Sequence, residues 1–147
     1  MKNQDFTFSL QVEETPAEAF NIILNVRQWW SGLYEESFDG QHEKTGDEFS
    51  FHAGGGAHYS RQKLIKLKPN SKLVWLVTES NLSFVSKTDE WVGTKLSFEI
   101  FREPASTNIL FTHIGLVPAM ECYHSCAPAW THYMEERLSS LLTRSNR

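Results

Sequence analysis

The chain lacks most of the features that would announce a chemistry. It has only two cysteines in 147 residues, Cys122 and Cys126, so no disulfide framework can be drawn. At that spacing they share a helix face, near the lower limit of backbone separation for a bridge and with side-chain directions that do not suit one. They read as reduced, buried thiols, which fits a cytoplasmic protein. A structural zinc would need four ligands in two tight pairs, whereas the sequence has one i,i+4 pair and would have to recruit His113 with His124 or Glu121. His42, His52 and His58 are scattered, and His58, beside a glycine run, is expected in solvent. Neither a metal nor a cofactor is expected. No G-x-S-x-G elbow and no cysteine at a helix start beside a base is present, so covalent catalysis lacks a frame. Gly54-Gly55-Gly56 is not followed by Lys-Ser/Thr and reads as a hairpin turn, not a phosphate loop. No apolar run approaches the ~20 residues that span a bilayer. The opening residues MKNQDFTFSL lack a basic start followed by an apolar core, so the expected location is the cytoplasm. There are 14 basic and 18 acidic residues and no basic block, so nucleic acid is not an expected partner.

Aromatics, in contrast, are abundant: ten Phe, five Trp and four Tyr. Such side chains fill cores or line pockets. The length suits a single domain over residues 1–147, able to bury roughly 70% of its unfolded surface without a staple.

The pattern along the chain is strand, helix, several strands, helix. Phe6, Phe8, Leu10 and Val12 alternate with polar neighbours as in a half-buried strand. Thr15, Pro16 and Glu18 form a capping box, opening a helix with Ala19, Phe20, Ile23 and Leu24 on one side, which Trp29-Trp30-Ser31-Gly32 ends. One of the two tryptophans is expected to face in and the other out. Strands are expected over 33–38, after which Asp39-Gly40 turns, around Phe49 and Phe51, over 58–67 up to Pro69-Asn70, and over 73–79. Apolar residues on both faces of 73–79 mark a central strand. Residues 80–93 carry no clear period: Leu82, Phe84 and Val85 are followed by a polar patch and then Glu90-Trp91-Val92-Gly93. Two more strands follow over 94–103 and 107–114, with Ile109, Phe111 and His113 sharing a face. Short turns between strands imply antiparallel pairing. On the last helix Tyr123, Ala127, Trp130, Met134, Leu138 and Leu141 form one stripe. Pro128 either stands in the first turn of a helix starting near Ser125 or, as preferred, kinks one starting near Ala119.

Several blocks resemble a known family. They are Thr15-Pro16-x-x-Ala19-Phe20, Trp29-Trp30, Gly46-Asp47-x-Phe49, Pro69 before Leu73-Val74-Trp75, and Glu90-Trp91-x-Gly93-Thr94. Phe111-Thr112-His113-x-Gly115-Leu116-x-Pro118, Glu121-Cys122-Tyr123-x-x-Cys126 and Trp130 complete the series, which covers nearly the whole chain. In order and spacing they resemble the START-like (SRPBCC) superfamily, and within it the bacterial homologues of the heat-shock protein 90 ATPase activator. The resemblance implies an α+β helix-grip fold. A curved antiparallel sheet of about six to seven strands would wrap a long C-terminal helix, with one or two short helices after strand one and a cavity inside. Many members are ligand-binding modules, and some relatives are enzymes or co-chaperones.

The expected function is reversible binding of a small hydrophobic or amphipathic molecule in that cavity. Trp30, Phe49, Phe51, Trp75, Trp91, Phe98, Phe111, Tyr123 and Trp130 would wall it, and Glu90 and His113 would make polar contacts. Two alternatives stay open. In one, an exposed aromatic patch, signalled by an exposed Trp30 over a filled core, docks a protein partner, as in the chaperone activators; a homodimer stays open beside it. In the other, a cyclase- or hydrolase-like enzyme, His113 and Glu90 act together on a polyketide-like or other small substrate bound in one cavity.

Overall fold

The computed structural model describes residues 4–143. Seven strands form one antiparallel sheet: β1 (Phe6–Val12), β2 (Ser37–Gly40), β3 (Glu48–Ala53), β4 (His58–Lys68), β5 (Lys72–Leu82), β6 (Lys95–Arg102) and β7 (Thr107–Ile114). Their spatial order is β1-β7-β6-β5-β4-β3-β2. All neighbours but one are sequence neighbours. The exception closes the fold: β1 lies against β7, Phe6 opposite His113 and Val12 opposite Thr107. β5 lies inside the sheet, which is why Leu73, Val74 and Trp75 are all buried.

Between β1 and β2 run α1 (Pro16–Leu24) and α2 (Val26–Trp29). The capping box holds as expected, with the Glu18 amide donating to Thr15 Oγ1 and the Thr15 amide to Glu18 Oε1. The helix then breaks at Asn25, whose backbone leaves the helical region. The break explains a difference from expectation. Both tryptophans are buried, Trp29 at 1% exposure and Trp30 at 2%, because Asn25 re-aims α2 and a non-helical Trp30 turns its ring inward. Trp29 secures its indole N–H on the Ile23 carbonyl at 2.9 Å.

The strand expectations hold in number and direction, with local shifts. Residues 33–36 are bend and irregular backbone; the strand starts at Ser37 and includes Asp39 and Gly40, so that pair is not the turn. β5 continues to Leu82, into the segment without a clear period. Two register shifts between β4 and β5, at Arg61/Gln62 and Leu64/Lys66, keep the apolar faces aligned over these long strands.

Across the curved face lies α3 (Tyr123–His132), continued by a π-helical turn over Tyr133–Leu138 and a 3₁₀ turn over Ser139–Leu141. It starts at neither expected point. Pro128 stands in the interior of α3 and offers no N–H to the His124 carbonyl. The wider π-helical turn begins at Tyr133, and the tighter 3₁₀ turn follows it. The buried stripe is also rotated from the expected one: Cys122, Cys126, Trp130, Met134, Leu138 and Leu142 are buried, while Tyr123 and Ala127 are only partly covered and Leu141 is exposed. Both cysteines are free and buried.

The core is an aromatic layer between sheet and helix: Trp29, Trp30, Trp75, Trp130, Phe49, Phe51, Phe98 and Phe111 are almost wholly enclosed. Burial of each such side chain contributes roughly 2–3 kcal/mol.

Candidate functional site: an aromatic cavity under the C-terminal helix

The aromatic layer does not close completely. A cavity of about 320 Å³ remains between the end of α2, β3, β4, the loop after β5 and α3. Its walls include Trp30, Phe51, His58, Trp91, Trp130 and Tyr133, with Tyr34 and Phe84 at its mouth, half-exposed. Small side chains leave the space: Ala53 and Ala57 from the sheet side, Ser125, Cys126 and Ala129 from the helix side. No lining residue is Asp, Glu, Lys or Arg.

The ring geometry makes the walls stiff. Trp30 stacks on Phe51 with centroids 4.0 Å apart and meets Trp130 at 5.1 Å. Trp91 lies parallel to Trp130 at 6.0 Å and receives the edge of His58 at 4.6 Å. Such pairs add about 0.5–1.5 kcal/mol each beyond their area. Tyr133 is held by its hydroxyl, which donates to Glu36. Burial alone would raise the Glu36 carboxyl. The Tyr133 hydroxyl and amide donors from Tyr34, Glu36 and Leu33 outweigh it and hold the pKa below 4.5. Burial first, and then Glu36, pushes the Tyr133 phenol up.

Four of the residues expected at the site line this cavity: Trp30, Phe51, Trp91 and Trp130. Phe49, Trp75, Phe98 and Phe111 are packed core behind the walls, and Tyr123 lies outside, its ring against His124. Neither polar candidate reaches the cavity. His113 is completely buried in a closed hydrogen-bond chain. Trp130 Nε1 donates to His113 Nδ1 at 3.0 Å, His113 Nε2 donates to Thr94 Oγ1 at 2.9 Å, and Thr94 donates to the Trp91 carbonyl at 2.6 Å. Gly115 makes room for this chain. It has φ +103°, and a Cβ there would come within 2.7 Å of Thr94 Cγ2. Glu90 spends its carboxylate on the amides of Glu121, at 3.2 Å, and Cys122, at 2.8 Å, fixing the start of α3. His113 and Glu90, expected together in one cavity, are two separate structural devices.

His58 corrects the expectation of a solvated side chain. As a residue it is partly exposed, but its Nε2 is enclosed and has no hydrogen-bond partner among the described residues. Burial lowers its pKa to about 4, so it is neutral near pH 7. Cys126 also lines the cavity without having been anticipated there. Its hydrogen bond with Cys122, and then burial, push the thiol pKa up, so it is a poor nucleophile. A signal for His58 existed in the period of β4, where His58, Ser60, Gln62 and Leu64 share the inward face; the adjacent glycines masked it. No group of three or more His, Cys, Asp or Glu side chains able to hold a metal occurs among the described residues. No helix among them is long and apolar enough to cross a membrane.

No protein-family profile and no curated protein sequence matches the chain. Solved structures do. The solution structure of the Aha1 dimer from Colwellia psychrerythraea superposes with a TM-score of 0.70 at 18% identity, covering 94% of this chain and 96% of that one. Protein MLL2253 from Mesorhizobium loti gives 0.71 at 17% identity, with the same coverage of 94% and 96%. Protein BH1534 from Bacillus halodurans gives 0.65 at 13%, covering 97% and 99%. At such identities the likeness is one of fold. The chain has the helix-grip, Aha1-like α+β fold that its sequence blocks resemble.

Proposed function

We propose that this protein reversibly binds a small hydrophobic or amphipathic molecule, in the cytoplasm, within the cavity beneath α3. The observation that carries the reading is the cavity itself: about 320 Å³ walled by Trp30, Phe51, Trp91, Trp130 and Tyr133 and free of charged side chains. Stiff aromatic walls lose little entropy on binding and favour flat apolar molecules. Phe49, Trp75, Phe98 and Phe111 support the walls from behind. The burial of Trp30 and the presence of a cavity go against a docking patch built on that tryptophan. The separation of His113 from Glu90 removes the pair on which a catalytic reading rested.

Native mass spectrometry of the protein purified from its own host, followed by denaturing extraction, tests the reading. A co-purifying small molecule supports it and identifies the ligand class. A clean apo mass, together with no shift in melting temperature across a lipid and metabolite panel, overturns it.

A second reading concerns self-association. The Colwellia neighbour was solved as a dimer, and Tyr34 and Phe84 are half-exposed at the cavity mouth. Light scattering on the eluting protein distinguishes one copy from two.

A further inference from the structure

The rings around the cavity are set at steep angles, which gives the space an electrostatic character as well as an apolar one. The Tyr133 ring stands at 79° to Trp30 and at 68° to Trp130, while Trp91 lies within 11° of Trp130. Trp30 and Trp130 have centroids 5.1 Å apart, and Tyr133 is 6.5 Å from the first and 6.1 Å from the second. Tyr34 and Phe84 bring two more rings to the mouth. Aromatic rings carry negative potential on their faces, so rings boxed around one space favour a cation between them. At these spacings one cation can lie within about 6 Å of several centroids.

The charges behind the walls point the same way. The Glu36 carboxylate accepts the Tyr133 hydroxyl and the Tyr34 amide, directly behind two wall residues, and its charge is felt at the Tyr133 phenol. Glu90, bonded to the Cys122 amide, is felt at the thiol of Cys126, another wall residue. No Lys or Arg lines the space. His58 is neutral, because burial lowers its pKa to about 4, and Arg137 directs its guanidinium to Ser31 Oγ at 3.5 Å. We propose that the cavity takes a quaternary ammonium group on a small apolar body, held by cation–π contact with Trp30, Tyr34, Trp91, Trp130 and Tyr133. The inference rests on the ligand-binding reading above and adds to it the sign and kind of the ligand's charge. A quaternary ammonium has no N–H to satisfy, whereas a primary ammonium or guanidinium would bring several donors into walls made mainly of rings. A carboxylate or phosphate would meet ring faces backed by two carboxylates of its own sign.

The test is a ¹⁵N NMR titration of the full chain with phenyltrimethylammonium, its uncharged isostere tert-butylbenzene, and the anion benzenesulfonate, with naphthalene as the apolar reference. The expected result is that phenyltrimethylammonium binds at least about tenfold more tightly than tert-butylbenzene, moves the indole N–H signals of Trp30, Trp91 and Trp130, and far outbinds benzenesulfonate. Glu36→Gln keeps an acceptor for the Tyr133 hydroxyl and removes the charge, so it should cut the preference for the cation about threefold or more. Tyr34→Leu, at a half-exposed position, should weaken the cation more than tert-butylbenzene. If Glu36→Gln does not fold, Tyr34→Leu and the wild-type preference still decide. Equal binding of tert-butylbenzene and the cation overturns the inference and leaves the apolar cavity standing. So does binding of naphthalene alone. Equal or tighter binding of benzenesulfonate overturns the sign of the charge. Failure of every probe, naphthalene included, overturns the cavity reading and this inference with it.

Discussion

Trp130 on α3 donates its indole N–H to His113 Nδ1 on β7 at 3.0 Å, and this bond fixes the imidazole as the Nε2–H tautomer, whose proton goes to Thr94. One hydrogen bond thus ties the helix to the sheet and sets the direction of the chain ending at the Trp91 carbonyl. Trp91 and Trp130 are the two parallel rings of the cavity wall, so the chain also sets their spacing.

Replacing His113 by Leu would leave the Trp130 N–H enclosed without a partner and deprive Thr94 of its donor. Unpaired buried groups cost about 1–3 kcal/mol each, so a loss of about 2–5 kcal/mol is expected. Urea denaturation of the two proteins measures it. A loss below that of an ordinary surface substitution contradicts the role given to the chain.

Stability should fall on mild acidification. Burial is the main reason His113 has a pKa lowered to about 3, with the charge of His58 second, and burial lowers His58 to about 4. Unfolded, both titrate near 6.5. Below that value the unfolded chain takes up protons that the folded chain refuses, so this contribution is complete above about pH 6.5 and is lost progressively toward about pH 3. Glu36, with a lowered pKa, adds a loss further down, as pH falls below its ordinary 4.5. The urea midpoint at about pH 5 should lie below that at about pH 7.5, with a smaller difference in His58→Gln.

Glu90→Ala should behave as the loss of a helix-start acceptor. The amides of Glu121 and Cys122 lose their carboxylate, at a cost of about 1 kcal/mol, while affinity for an apolar probe such as naphthalene stays within about twofold. A larger loss of affinity than of stability would return Glu90 to the site.

Ala129 faces the cavity from α3, where a longer side chain can occupy the empty volume without a backbone change. Ala129→Leu should raise the melting temperature by a few degrees, roughly 1 kcal/mol, and lower naphthalene affinity about tenfold or more. Thermal scans with and without the probe separate the two effects.

Much of this fold is legible in the sequence because local signals and global packing agree. Phe6 to Val12 alternates as a strand should, and Thr15, Pro16 and Glu18 start a helix through contacts made within four residues. Phe51 and Trp130 are legible as inward residues from the strand and helix periods they stand in. What was not legible depends on distant arrivals. Glu90 becomes a helix anchor only because the chain after β7 brings the Glu121 and Cys122 amides to it. His58 lies beside three glycines that signal solvent, and it is enclosed only when Trp91, from the loop after β5, meets its ring. The inward turn of both Trp29 and Trp30 follows from the backbone break at Asn25, which no periodicity announces.

The pairing of β1 with β7 has a consequence for how the protein is made. β1 finds its partner only when Thr107–Ile114 has been synthesised, and the cavity wall is incomplete until Trp130 and Tyr133 follow. Loop closure over that separation comes late and slowly. Throughout elongation the growing chain holds Phe49, Phe51 and Trp75 without the helix that covers them. Nascent fragments are therefore sticky, and no product truncated before Tyr133 carries the complete cavity wall.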